Sequence, residues 1–289
     1  MTVRLRQSVF VPPPVYVVAD QLGLLAAAGL EVETILTRSS DQQRAQLTAG
    51  ECELAVTAID NLIVWNAAGA GVRLLAQLEQ TTPLSLVGAR GVDTIDALRG
   101  AELGVDAVDN GFSVVLRYVL RAHGLAPGDY LLRPVGGVRE RFEALRTGRI
   151  AATLLGPPLD EYARQEELVP LLTVADELPD YPGQGLVAGP SAPPRSSETI
   201  GVYLSCLDQA RRWLAAADSA DAVDVLVRGG YTESSAQVSI DTTPASLRPD
   251  SAGLRRLYSL RAGLDMMPHG APGADELLAS ADLAAGEAG

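Results

Sequence analysis

Two carboxylates stand at matching places in this chain, each where an apolar strand pattern gives way to a helical one. Asp60 sits beside Asn61, and Asp109 heads the turn Asp109-Asn-Gly-Phe-Ser113, with Asp106 three residues before it. Acids at such turns can give and take protons, hold a cationic ligand, or only cap the helix that follows. For Asp109, capping is the commoner role. For Asp60 the two roles stand even, because Asn61 offers both a donor and an acceptor to a heterocycle. Other reactive groups are sparse. The chain has no lysine, so it forms no Schiff base through a side chain. His123 precedes Gly124 at a helix end and His269 lies in a Pro/Gly-rich stretch, so neither anchors a nucleophile triad. Cys52 and Cys206 suit packing as small apolar groups better than thiolate chemistry. No spacing suits a metal, and no cofactor is expected.

The elements that position these acids repeat. Arg44 to Ala58 and Phe142 to Gly156 both read as a short helix ending at a glycine, Gly50 or Gly148, followed by an apolar strand that runs into a polar or proline turn. Each is preceded by strand, loop, helix, Gly-Leu and strand, over Val3 to Thr37 and over Ala101 to Val135. The chain is therefore read as α/β with two similar lobes and a ligand cleft between them. The expected boundaries are 1–87 with 186–268 for the first, discontinuous lobe and 88–185 for the inserted second lobe. The residues around Gly88–Arg90 and Gly183–Leu186 are then the hinges. Helices from Thr199 onward should complete the first lobe, and 269–289 reads as a loosely held acidic Ala/Gly-rich tail.

Composition narrows the partners. A net charge of −13 argues against nucleic acid and anionic surfaces. No apolar run approaches the ~20 residues a membrane helix needs, so no membrane insertion is expected. The chain enters a strand pattern at once, which places it in the cytoplasm as written, or outside it if a signal peptide has been removed.

The order of elements resembles the type II periplasmic-binding-protein fold, specifically the aliphatic sulfonate, nitrate and taurine binding proteins and their thiamine-pyrimidine-synthase-like relatives. The likeness is carried by Gly23 to Val32, Leu47 to Val56, Asp96 to Val105, Ala144 to Ala152 and Gly156-Pro-Pro158. It implies a protein that closes by a hinge on one small organic molecule, with an ABC permease as partner if the protein is exported. The same fold also hosts cytosolic enzymes. The alternative is thus an isomerase, cyclase, dehydratase or decarboxylase using Asp60, Asp106 or Asp109 as acid and base.

The resemblance places the ligand against the loops that follow the strands. In the first lobe these hold Phe10, Pro12, Arg38, Ser39, Thr57, Asp60 and Asn61. In the second they hold Asp109, Asn110, Phe112, Ser113, Arg139, Gly156 and Pro157, and the returning crossover brings Tyr181 and Gln184. Phe10 and Tyr181 could stack on a flat ligand, although core packing is the commoner fate of an aromatic. Arg139 and Arg141 could reach a carboxylate, although arginines at a helix start are mostly solvated. Relatives that hold oxyanions carry a small, hydroxyl-rich turn where this chain has Asp109. The expected ligand is therefore neutral, zwitterionic or cationic in preference to a bare oxyanion.

Overall fold

The computed structural model describes residues 2–190 and 194–279, with only the backbone described for 194–197. Its strands are β1 (Val3–Val9), β2 (Leu30–Leu36), β3 (Leu54–Ala58), β4 (Arg73–Gln77), β5 (Ser85–Gly88), β6 (Glu102–Val105), β7 (Leu131–Pro134), β8 (Ala152–Leu155), β9 (Val169–Thr173) and β10 (Gln184–Ala188). They form two five-stranded sheets with the same plan, β2-β1-β3-β10-β4 and β7-β6-β8-β5-β9. In each sheet four strands share one direction, and the fourth position is taken by an antiparallel strand next to a crossing, β10 in the first and β5 in the second.

This topology corrects the expected boundary. The expected boundary gives Ser85–Val87 to the first lobe, but these residues belong to β5, which pairs with β8 and β9 in the second sheet. The chain crosses at 78–84 and returns at 178–183, so Gly88 and Leu186 lie inside strands and not in hinges. Every residue of β5 is buried, and an apolar run of that kind looks the same in either sheet, so its pattern could not tell which lobe owns it.

The helices are α1 (Pro14–Gln21), α2 (Leu24–Ala27), α3 (Ser40–Ala49), α4 (Asn61–Ala67), α5 (Gly111–Ala122), α6 (Val138–Arg146), α7 (Leu159–Gln165), α8 (Val174–Glu177), α9 (Pro194–Ala216), α10 (Ser219–Arg228), α11 (Glu233–Asp241) and α12 (Ser251–Gly263). The repeat predicts one helix between the first two strands. Gly23, at φ 70°, divides it into α1 and α2. The repeat's glycines behave as their positions predict: Gly50 and Gly148 both take left-handed backbone at a helix end, with φ of 70° and 69°.

Helices α9, α10 and α11 pack on α1, as expected for the first lobe. The last helix departs from that expectation, because α12 packs against α5 of the second lobe. Leu254, Leu257 and Leu260 recur at helical spacing and join a buried cluster with Leu62 and Ile63 of α4 and Val115 and Val119 of α5. Burying each such side chain is worth about 1.5–3 kcal/mol, so this junction is a core in its own right. The expected tail is also shorter than its composition suggested. Leu277 is fully buried in a 3₁₀ turn over Ala274–Leu277 and Leu278 bridges to Leu74, whereas 280–289 lie outside the described residues. No helix among the described residues is long and apolar enough to cross a membrane.

Candidate functional site

A cleft of about 1070 Å³, open mouth included, lies between the lobes. Its first-lobe wall is the proline loop after β1, with Phe10, Val11, Pro13 and Pro14, together with Ala58, Asn61 and the α11 region through Tyr231, Ser239 and Thr242. The crossings add Leu78, Glu79, Thr82, Pro83 and Leu84, and the start of β10 adds Gln184. The second-lobe wall carries Asp106, Asn110, Phe112, Ser113, Leu116, Val138, Arg141, Leu154, Gly156 and Pro157. The cleft is thus mostly apolar with a few polar groups, the usual make-up of a small-molecule site.

Asp106 is the first residue after β6. Its Oδ2 accepts from the Asn110 side chain at 2.8 Å and from the Ser40 backbone N–H, across the cleft in the first lobe, at 2.9 Å. Asn110 in turn caps α5 by accepting from Ser113 N–H at 3.1 Å. The other oxygen of Asp106, Oδ1, is buried without a partner.

Arg141 lies on the inward face of α6 with Ala144 and Leu145. Its Nη1 donates to Thr153 Oγ1 at 3.0 Å and to the Leu154 carbonyl at 2.6 Å, while its Nε is buried without a partner. Burial lowers the guanidinium to about 10, opposed by the charges of Asp106 and Glu140. Thr82 Oγ1 is a third buried atom on the cleft with no partner.

Glu79 accepts from Gln184 twice, from the backbone N–H at 2.9 Å and from the side chain at 2.8 Å. Burial pushes its carboxyl up to about 7, with those two bonds opposing. Tyr231 donates to the Pro12 carbonyl at 2.8 Å and so ties the proline loop to the turn between α10 and α11.

Of the residues expected at the site, the fold brings Phe10, Asn61, Asp106, Asn110, Phe112, Ser113, Gly156, Pro157 and Gln184 onto the cleft. The others are employed elsewhere. Pro12 contributes its carbonyl to Tyr231. Arg38 is solvated, 3.7 Å from Glu140, and Arg139 is exposed. Ser39 caps α3 by accepting from Gln42 N–H. Thr57 is buried and accepts from Asn61 at 2.9 Å. Tyr181 is fully buried, its hydroxyl 3.3 Å from the Gly111 carbonyl, and stacks on no ligand wall.

Both paired acids of the sequence reading are withdrawn from the cleft. Asp60 has no exposed surface, and Arg261 of α12 grips both its oxygens from within the core. Burial raises the Asp60 carboxyl and the Arg261 charge opposes that rise. The same guanidinium donates to the Asp109 carbonyl at 2.9 Å and the Met266 carbonyl at 3.1 Å. The Asp109 side chain is exposed and neither lines the cleft nor caps α5, since Asn110 does so instead. Of the three proposed acid–base residues, only Asp106 faces the cleft.

The lobes also meet directly. Gly111 N–H donates to Asn61 Oδ1 at 2.8 Å, and a Cβ on Gly111 would stand 3.0 Å from those of Ala58 and Asp60, so glycine permits this approach. Glu79, Thr82 and Tyr231 were missed because they belong to no repeat or motif. For Arg141 the sequence leaves a carboxylate contact and a solvated role both open, and helical phase favours the inward position: 141, 144 and 145 share one face.

No curated protein matches the chain. The ligand-binding component of an ABC-type import system from Staphylococcus aureus superimposes with a TM-score of 0.81 at 13% identity, covering 98% of this chain and 99% of that one. The nitrate-binding protein NrtA from Synechocystis PCC 6803 does so with a TM-score of 0.77 at 14% identity, covering 98% and 87%. The alkanesulfonate-binding protein SsuA from Xanthomonas axonopodis pv. citri gives a TM-score of 0.76 at 18% identity, covering 94% and 97%. The chain has the two-lobed periplasmic-binding-protein fold that the sequence resemblance implied. The family model described as NMT1/THI5 like matches residues 14–217, well over half the chain. The chain belongs to the NMT1/THI5-like family.

Proposed function

We propose that the protein is a solute-binding protein that captures one small organic molecule between its lobes. The observation that carries this reading is a largely apolar interlobe cleft on which three lining residues, Thr82, Asp106 and Arg141, each hold a buried polar atom without a partner. Family membership and the import-system component among its structural neighbours support it. Closure uses the crossings at 78–84 and 178–183 as hinges, and the Ser40–Asp106 and Asn61–Gly111 bonds form as the lobes meet. An ABC permease on the extracytoplasmic side is the partner that fits such a protein.

The charge argument keeps its direction but changes its residues. Asp60 is neutralised by Arg261 and Asp109 faces away, so the case against a bare oxyanion rests on Asp106, whose charge offsets that of Arg141 on the cleft, with Glu79 adding negative charge only as pH rises through about 7. A carboxylate 4 Å from a bound anion opposes it by about 4 kcal/mol at an effective dielectric near 20. The ligand is therefore neutral, zwitterionic or cationic.

A thermal-shift screen of small molecules tests both points. A ligand at 100 times its Kd stabilises by about 2.7 kcal/mol, which such a screen resolves. Compounds of the three favoured classes should raise the melting temperature more than sulfonates, nitrate or bicarbonate do. Tight binding of a simple oxyanion refutes the charge preference, and a screen without any stabilising compound refutes capture.

A further inference from the structure

The free valences of the cleft have a pattern. Asp106 and Arg141 carry opposite charges on one wall and feel each other's field, yet they form no ion pair within 4.0 Å. Each is held back by its own partners, Asp106 by Ser40 and Asn110, Arg141 by Thr153 and Leu154. What remains unpartnered is a buried acceptor, Asp106 Oδ1, and a buried donor, Arg141 Nε, with the Thr82 hydroxyl as a third. Arg141 is 7% exposed and Thr82 0%, so neither is a surface group awaiting bulk solvent. Leaving such atoms unpaired costs about 1–3 kcal/mol each, and more where the group is charged.

A lone anion would complete Arg141 while facing Asp106. A lone cation would complete Asp106 while facing Arg141. A molecule carrying both charges completes both. Resting on the capture reading, we infer that the occupant is a small zwitterion, with an ammonium group on Asp106 Oδ1 and a carboxylate on Arg141 Nε and the Thr82 hydroxyl. The opposite wall, Phe10, Val11, Pro13 and Pro14, offers no charge, so the body of the molecule is apolar and points toward the first lobe. Apolar amino acids and their chain-lengthened homologues are the class that fits.

Calorimetric titration of the full chain with matched probes decides this. The apolar amino acids and their β- and γ-homologues form the zwitterion set, and each is paired with its deamino acid and its decarboxylated amine; for leucine these are 4-methylpentanoate and 3-methylbutylamine. At least one zwitterion should bind, with each single-charge counterpart weaker by on the order of tenfold, the worth of one charge-assisted bond. Asp106→Asn should weaken the zwitterion and spare the carboxylate probe, whereas Arg141→Gln should weaken the zwitterion and spare the amine. A general loss of structure does not produce that crossed pattern. Thr82→Val, which removes one hydroxyl at constant shape, should weaken the zwitterion and the carboxylate probe alone, and it serves if Arg141→Gln does not fold. If a single-charge counterpart binds as tightly as its zwitterion, the inference is overturned and capture stands. The same holds if a broader compound screen yields a ligand and no zwitterion binds. If nothing in either set binds, the capture reading fails and takes the inference with it.

Discussion

The turn after β3 and the turn after β6 occupy equivalent places in the two lobes, yet their acids do opposite work. Ile59 and Asp60 are all that separate β3 from α4, so Asp60 lies beneath the helix in the core and is neutralised by Arg261. Five residues, 106–110, separate β6 from α5. That length lets Asp106 stand clear of the helix start, take an N–H from each lobe and line the cleft with one oxygen left unpartnered. Turn length decides whether an acid at this position becomes mortar or lines the cleft.

The largest expected effect is on the short turn. Arg261→Ala leaves Asp60 buried and unpaired and should cost about 3–5 kcal/mol in urea unfolding. The double variant Asp60→Leu with Arg261→Met, which removes both charges, should recover most of that loss. If the single variant is nearly neutral, the contrast between the turns is wrong.

Next comes the acid that neither turn supplies. The native state holds the Glu79 proton up to about 7, whereas the unfolded chain releases it near 4.5. Its contribution to stability is therefore full below pH 4.5 and is lost as pH rises through 7, by up to about 3 kcal/mol. Glu79→Gln should abolish that fall, so the stability of the variant relative to the parent should increase from pH 4 to pH 8. A constant difference across the range would show that Glu79 titrates normally.

The bond between the turns should matter less. Asn61→Ala strips partners from Gly111 N–H and Thr57 and should cost about 1–3 kcal/mol. Solution scattering of that variant should also show a more open mean separation of the lobes, whereas an unchanged profile would mean that the bond does not help hold the lobes together. The smallest effect concerns Ser39. As a helix cap, Ser39→Ala should cost about 1 kcal/mol without changing ligand affinity, and a loss of affinity would restore it to the site.

Much of the fold was legible because helix, left-handed glycine and strand is a local signal, and the Gly50 and Gly148 copies carry it in order. Loop membership of the site was legible for the same reason. What the loops do with individual side chains was not. Asp60 and Arg261 are 201 positions apart, and nothing near either names the other. Arg139 and Arg141 look alike as helix-start arginines, and only the phase of α6 sends one to solvent and the other inward. The strand β5 carries no mark of its lobe, and Glu79 lies in a crossing where no period applies.

The place of β10, between β3 and β4, sets an order on synthesis. By the time β9 has emerged, every strand of the second sheet exists, and that sheet can pair. The first sheet still lacks its fourth strand, and β4 has no neighbour until Val187 and its companions arrive. Arg261 comes later still, so throughout that interval Asp60 must stay hydrated. A ribosome therefore releases this chain with its inserted half able to form ahead of the half that encloses it, and the junction between them closes last, after α12 has left the exit tunnel.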